Sequence, residues 1–333
     1  METTTPITSE AKVDQVDDQV AIQVTDQVVG SRVDSVIAVD EQSVDKIKSR
    51  SLIIYGTAWK EGRTADLTAE ALEKGFRVID SANYPTGYNE PLVGEGIARA
   101  LQVGLDRDAL FIQSKFTPVW AHDKDKIPFN PEQDIENQVR ESIQTTFDNL
   151  KVDYLDSFLL HAPTGSDEDD IKVWKTLETY FPDKIKRLGV SNFPLPALQK
   201  LYNAAVIKPT IVQNRFYKET SFDLDVRSFC ADHNITYQAF YMLTHNPELI
   251  ESDVIKDVSN ILSVSKQEAF YLLILALGNT QVLNGTTNGD HMNNDLKAVE
   301  KVFDDPQLQE SLQPYASAFK QLLWKVAGPT KTH

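Results

Sequence analysis

Four kinds of side chain that can hold or move a proton stand just past three successive apolar runs. Asp80 ends the run Phe76–Ile79, with Tyr84 and Tyr88 in the loop beyond; Lys115 ends "LFIQSK"; His161 ends "YLDSFLLH". Each alone has an ordinary reading: turn formers around Asp80, a solvated lysine, a capped loop histidine. Together they are the parts for giving a proton to a carbonyl oxygen. A phenol, with a reference pKa of about 10, is a poor donor at neutral pH unless tuned. A nearby ammonium stabilises the phenolate and lowers that value, and a carboxylate beside the ammonium keeps it charged and aimed. An imidazole across the pocket can hold the carbonyl oxygen in line. No side chain donates hydride, so the chemistry calls for a nicotinamide or a flavin.

The elements that must position this set follow from the hydropathy pattern. Short apolar runs occur at Leu52–Tyr55, Phe76–Ile79, Leu110–Gln113, Leu155–Leu160, Lys186–Val190, Thr210–Gln213, Ile235–Ala239 and Gln281–Leu283. They are too continuous for half-exposed strands and read as parallel strands covered on both faces. Amphipathic stretches such as Leu67–Lys74, Pro91–Leu101, Pro131–Leu150 and Lys266–Leu277 separate them. This alternation predicts a (β/α)8 TIM barrel, in which chemistry sits at the C-terminal strand ends. The rival doubly wound sheet would show a glycine-rich phosphate turn. Gly94-Glu95-Gly96 lacks the third glycine, lies inside an amphipathic stretch, and reads as close helix packing. No His-Glu-x-x-His or Cys-x-x-Cys motif occurs, so no metal is expected.

Charge and composition narrow the partners. A net charge of −16 argues against nucleic acid. A single cysteine, Cys230, excludes an internal disulfide framework. No apolar run approaches a membrane span, and the opening "METTTPITSE" lacks the features of a signal peptide, so a cytoplasmic protein is the expectation. Residues 1–48 repeat the phrase Asp-Gln-Val, carry ten acidic residues and contain no aromatic side chain. With so little apolar bulk they read as a mobile or weakly ordered acidic arm, leaving 49–333 for the barrel and a closing C-terminal helix around Phe319, Leu322, Leu323 and Val326.

The phrases "GTAWK" (56–60), "GFRVIDSA" (75–82), "YNEPLVGEGI" (88–97), "LFIQSKF" (110–116), "YLDSFLLHAP" (154–163), "IKRLGVSNF" (185–193) and "VQNRFY" (212–217) resemble the aldo-keto reductase superfamily in content and order. The resemblance implies a tetrad of Asp80, Tyr88, Lys115 and His161 with the tyrosine as proton donor. It implies that Ser191, Asn192 and Gln213 hold the nicotinamide carboxamide, that Phe240 stacks on its ring and that Trp59 lines the substrate pocket. Tyr88 is preferred over Tyr84 because Asn89-Glu90 follows it, as in the family motif; a three-residue insertion near Pro85–Gly87 separates it from the usual spacing. At strand eight, Gly285 and Thr286 stand where the family has a Lys-Ser pair and His291 where it has an arginine, so both permanent cations for a 2′-phosphate are lost. Thr286, Thr287 and nearby backbone N–H groups remain. NADPH is the expected cofactor and NADH the alternative. The implied activity is NAD(P)H-dependent reduction of a small carbonyl substrate by a monomer or weak oligomer. A nucleotide-binding regulatory subunit with little turnover is the alternative from another class, and a lyase using Lys115 as a Schiff-base amine is a third.

Overall fold

The computed structural model describes residues 49–328; the expectation of a mobile arm over residues 1–48 lies outside them. Eight strands, β1 (Ile53–Gly56), β2 (Val78–Asp80), β3 (Phe111–Phe116), β4 (Ser157–Leu160), β5 (Leu188–Ser191), β6 (Ile211–Arg215), β7 (Thr236–Phe240) and β8 (Thr280–Asn284), form one closed parallel barrel. Each pairs with its neighbour in sequence, and β1 closes on β8 with Ile54 opposite Leu283. This is the (β/α)8 barrel that the alternating runs predicted.

The longer helices are α1 (Thr64–Lys74), α2 (Glu90–Gln102), α3 (Ile135–Leu150), α4 (Asp167–Glu178), α5 (Leu195–Ala204), α6 (Leu224–Asp232), α7 (Asp253–Leu262), α8 (Lys266–Leu275), α9 (Gly289–Phe303) and α10 (Pro306–Ala327). Their starts are written in the sequence. Asn89, Asp134, Ser166, Ser265, Asn288 and Asp305 each accept a hydrogen bond from a first-turn backbone N–H, and Ser265 with Glu268 completes a capping box. The glycine pair in α2 is packing, as expected. A Cβ on Gly96 would lie 2.7 Å from the Ala65 carbonyl oxygen of α1, and one on Gly94 would collide with the Asn149 carbonyl of α3. The bare backbone lets α2 sit close to both neighbours. α10 closes the barrel flank with Phe319 and Leu323 fully buried.

The two faces of the strands differ sharply. Ile53, Tyr55, Ile79, Ile112, Phe158, Val212, Ala239 and Val282 point outward into one apolar layer beneath the helices. Residues of the opposite parity point into the barrel, and many are polar. Gln113 Nε2 and Gln213 Nε2 each donate to Gln238 Oε1 at 2.9 Å, and Gln238 Nε2 donates to Gln281 Oε1 at 2.9 Å. Gln281 Nε2 in turn reaches the Ser51 carbonyl at 2.6 Å, and Ser157 Oγ donates to Gln113 Oε1 at 2.8 Å. A barrel interior is usually filled by branched aliphatic side chains. Here four carboxamides occupy it, and their mutual bonds offset the cost of burying them.

Candidate active site

The interior network ends at Asp80, the last residue of β2. Its Oδ1 accepts from Lys115 Nζ at 2.7 Å, Gln113 Nε2 at 2.6 Å and Gln213 Nε2 at 2.9 Å, while Oδ2 accepts from Lys115 Nζ at 2.7 Å. Lys115 completes its set on the Ser81 carbonyl, also at 2.7 Å. Both residues are buried. Burial pulls the Lys115 ammonium below the usual lysine value, while the Asp80 charge, its hydrogen bonds and Glu90 pull the other way. Glu90, the first residue of α2, is buried just behind. It accepts from Ser114 Oγ at 2.5 Å and Asn83 Nδ2 at 2.9 Å, and burial pushes its carboxyl up against those bonds.

The insertion before Tyr88 is taken up as one helical turn. Both Gly87 N–H (3.0 Å) and Tyr88 N–H (2.9 Å) donate to the Tyr84 carbonyl, which places the two phenols four residues apart on one side of the turn. The turn is pinned from two directions: Trp59 N–H donates to the Gly87 carbonyl at 2.7 Å, and Thr86 Oγ1 to Asp123 Oδ2 at 3.0 Å. A Cβ on Gly87 would sit 3.1 Å from the Tyr84 ring and 3.2 Å from the Trp59 indole, so the two rings pack closely over that glycine. Trp59 itself stands beside the turn, 66% exposed.

Both tyrosines meet the same imidazole. The ring centroids of Tyr88 and Tyr84 lie 6.1 Å and 6.0 Å from that of His161, and Lys115 Nζ lies 5.1 Å from the Tyr88 centroid. Tyr84 is shared with His122, 5.5 Å away. The structure thus brings Asp80, Lys115, Tyr88 and His161 together at the mouth formed by β2, β3 and β4.

Electrostatics corrects one expectation. The Tyr88 phenol is not lowered: desolvation on burial, then the Asp80 charge, then Tyr241 and Tyr84 push it well above the usual tyrosine value. Lys115, held by both Asp80 oxygens and by the Ser81 carbonyl, does not offset these effects. His161 moves oppositely. Burial, Lys115, Arg215 and His122 press its pKa well below the histidine value, keeping the imidazole neutral. Its Nδ1 pairs with Thr117 Oγ1 at 2.7 Å, which leaves Nε2 without a partner among the described residues.

The residues assigned to the carboxamide lie at the next strand ends. Ser191 closes β5, buried, and its Oγ accepts from Asn192 Nδ2 at 3.1 Å. Asn192, in left-handed backbone at φ 58°, also donates from Nδ2 to the His161 carbonyl at 2.8 Å, and its Oδ1 accepts from Arg215. Gln213 spends its Nε2 on Asp80 and Gln238, leaving Oε1 free of partners among the described residues. Phe240 ends β7 opposite Arg215 of β6. At the β8 end, the N–H groups of Asp290 and His291 are already taken by Asn288 Oδ1, at 2.8 and 3.2 Å, and Asn288 N–H is taken by Thr286 Oγ1 at 3.2 Å. Two cations from the β1–α1 loop lie there instead. Lys60 Nζ donates to the Gly285 carbonyl, and Arg63 reaches the Thr287 carbonyl at 3.4 Å. His291 is exposed.

Sequence reasoning passed over Gln113, Thr117, His122, Lys60, Arg63 and Arg215. The signal for two of them was strand parity: Gln113 and Arg215 are each two residues from an assigned site residue, Lys115 and Gln213, and so share its face. Among the described residues no group of His, Cys, Asp and Glu is arranged to hold a metal, and no helix is long and apolar enough to cross a membrane.

The chain is thus a closed parallel barrel with a buried carboxylate–ammonium pair, a phenol and an imidazole gathered at its C-terminal mouth. The model of the aldo/keto reductase family matches residues 53–253, and the chain belongs to that family. Glyoxal reductase of Bacillus subtilis is 31% identical over 190 residues, covering 57% of this chain and 61% of the relative. NADPH-dependent D-xylose reductase of Meyerozyma guilliermondii is 35% identical over 184 residues, covering 46% and 53%. The chain therefore spans less than two thirds of the length of these relatives. An aldo-keto reductase from a deep-sea metagenome library superposes with a TM-score of 0.65 at 21% identity, covering 84% of this chain and 93% of that one, a likeness of fold.

Proposed function

We propose that the protein is an NADPH-dependent carbonyl reductase, with Tyr88 giving the proton to the carbonyl oxygen of a small aldehyde or ketone. The observation that carries this reading is the convergence of Asp80, Lys115, Tyr88 and His161 on one mouth. The residues at the next strand ends fit a nicotinamide. Ser191 Oγ, the unpartnered Gln213 Oε1 and the second lone pair of Asn192 Oδ1 make an acceptor-rich set suited to an amide, with Phe240 beside them. When bound, the nicotinamide supplies the hydride that no side chain can. Lys60 and Arg63 stand where cations for the 2′-phosphate were missing, and NADPH is the nucleotide named for the xylose reductase.

The chain's own residues then act as follows. Nε2 of neutral His161 orients the carbonyl oxygen toward the phenol. Tyr88 keeps its proton through the neutral range and releases it only to the far more basic alkoxide oxygen that forms. Lys115, held by Asp80 and Ser81, faces the phenolate left behind and limits its charge.

The test is oxidation of NADPH and NADH with a panel of aldehydes, ketones and quinones, alongside nucleotide binding by fluorescence. Turnover with NADPH supports the reading. Tight nucleotide binding with no turnover across the panel would replace it with the binding-subunit alternative, and borohydride trapping of Lys115 with a carbonyl compound would replace it with the lyase.

A further inference from the structure

The cation at the end of β6 has no role in the reaction as derived so far. Arg215 shares strand parity with Gln213, whose side chain reaches Asp80 inside the barrel, so Arg215 belongs one layer higher, toward the C-terminal mouth. Its guanidinium carbon lies 5.3 Å from the Phe240 ring centroid and 5.2 Å from that of Tyr241, and those two centroids are 5.3 Å apart, so the cation packs against one side of an aromatic pair. Behind Tyr241, His245 stacks at 4.2 Å and backs the wall. Of the five N–H donors on a guanidinium, the side chain spends NH1 on Asn192 Oδ1, and that is its sole hydrogen bond among the described residues.

The charge is also unanswered. Among the described residues Arg215 makes no ion pair, although the chain carries 49 acidic side chains against 33 basic ones. Of the other cations near the mouth, Lys115 is ion-paired with Asp80, while Lys60 is turned to the Gly285 carbonyl. The side chain is half-buried, a place where an unpaired charge is costly unless a mobile partner comes to it. His161 lies within the electrostatic reach of this guanidinium, and two hydrogen bonds through Asn192 link the two residues. A fixed, unpaired fork of donors beside the carbonyl-orienting imidazole is suited to a planar anion, which an arginine grips with two parallel bonds.

We propose that Arg215 is a specificity-determining residue that binds the carboxylate of the substrate, so that the enzyme prefers carbonyl compounds bearing an acid group over neutral ones. This rests on the carbonyl-reductase reading and names its substrate class. The same donors would suit the anionic groups of the nucleotide, and the experiment separates the two.

Two aldehydes, 4-formylbenzoate with a para carboxylate and benzaldehyde without it, are compared in the full chain, in Arg215→Gln and in Arg215→Lys. The readout is the ratio of kcat/KM for the acid to that for the neutral aldehyde, in which any general loss from disturbing Asn192 cancels. The expected result is a fall of that ratio by about 10- to 100-fold in Arg215→Gln, the scale of a lost charge-assisted pair, with partial retention in Arg215→Lys. A ratio unchanged by both substitutions overturns the proposal. If, in addition, the nucleotide dissociation constant rises by a similar factor, the guanidinium serves the nucleotide. Binding of the non-reducible 4-carbamoylbenzoate against benzamide, measured by calorimetry on the nucleotide-loaded protein, reads the anion site without turnover. Selective binding of the acid that is lost in Arg215→Gln upholds the site even if the reductase reading fails; equal binding of acid and amide overturns it.

Discussion

The barrel mouth has two unlike halves. At the ends of β2 to β4 the charged groups are dry, and their partners are fixed by short bonds: Asp80 and Lys115 are buried, with every Lys115 donor placed. At the end of β8, apart from Lys60, which is buried against the Gly285 carbonyl, the groups are wetter and more loosely held: His291 is exposed, Arg63 reaches a carbonyl at 3.4 Å, and the helix N-terminus is satisfied by its own cap. A buried charge must be paired to persist, so the first half can tolerate almost no change. An exposed one is screened and exchanges its partners cheaply, so the second half can change sequence and still bind. The β2–β4 ends hold Asp80, Lys115, Tyr88 and His161 together, whereas the β8 end carries Gly285, Thr286 and the exposed His291.

Substitutions should respond very differently in the two halves. Tyr88→Phe removes one hydroxyl and should lower kcat by about 10²- to 10⁴-fold, the usual scale for a lost acid–base group, with the nucleotide dissociation constant little changed. Steady-state kinetics and fluorescence titration check both. Tyr84→Phe should be milder, and the reverse order would hand the proton to Tyr84, whose ring is equally near His161.

Lys115→Met should abolish most turnover and also strand the Asp80 carboxylate in the interior, at a cost of about 3–5 kcal/mol. Urea midpoints read this directly. Asp80→Asn added to Lys115→Met should recover part of the stability and none of the activity. A single variant as stable as the parent would mean that water reaches this half after all.

The pH profile sharpens the same contrast. With His161 pressed below its ordinary value of 6.5, its acid limb should move to lower pH. With Tyr88 raised above 10.0, its basic limb should move higher. The kcat/KM profile should therefore be nearly flat from about pH 6 to 9. A limb at an ordinary histidine pKa would show that the imidazole is solvated in the working enzyme.

Gln113→Leu tests the network below the mouth. It deprives Asp80 of one donor and leaves Ser157 and Gln238 each short of a partner, so a loss of about 1–3 kcal/mol is expected. The smallest effect belongs to the wet half. Arg63→Ala should weaken NADPH by about twofold to fivefold, and NADH by less, with the difference vanishing at high salt. A larger, salt-insensitive loss would mean that the β8 end is as firmly built as the other.

Much of this molecule was readable from the chain alone. All eight strands fell within the apolar runs or a few residues of them, because parallel strands buried on both faces must be continuously non-charged at their centres. Asp80, Lys115 and His161 were legible because strand ends are where the alternation stops and a charge becomes tolerable. Other features were not local. The polar barrel interior was invisible because Gln113, Gln213, Gln238 and Gln281 lie far apart in sequence and satisfy one another only after the barrel closes. Period-two parity told that they share a face, not that the face would be shared by four amides. The fate of the insertion also waited on tertiary structure: Trp59 from one loop and Asp123 from another hold the turn that carries Tyr88. So did the sign of the Tyr88 shift, since the desolvation of the phenol and its nearness to the Asp80 charge arise only in the folded mouth. Sequence periodicity decided which residues face the barrel and where each strand ends; closure of the barrel decided which of those residues meet, and partner choice among buried polar groups is where the chemistry is set.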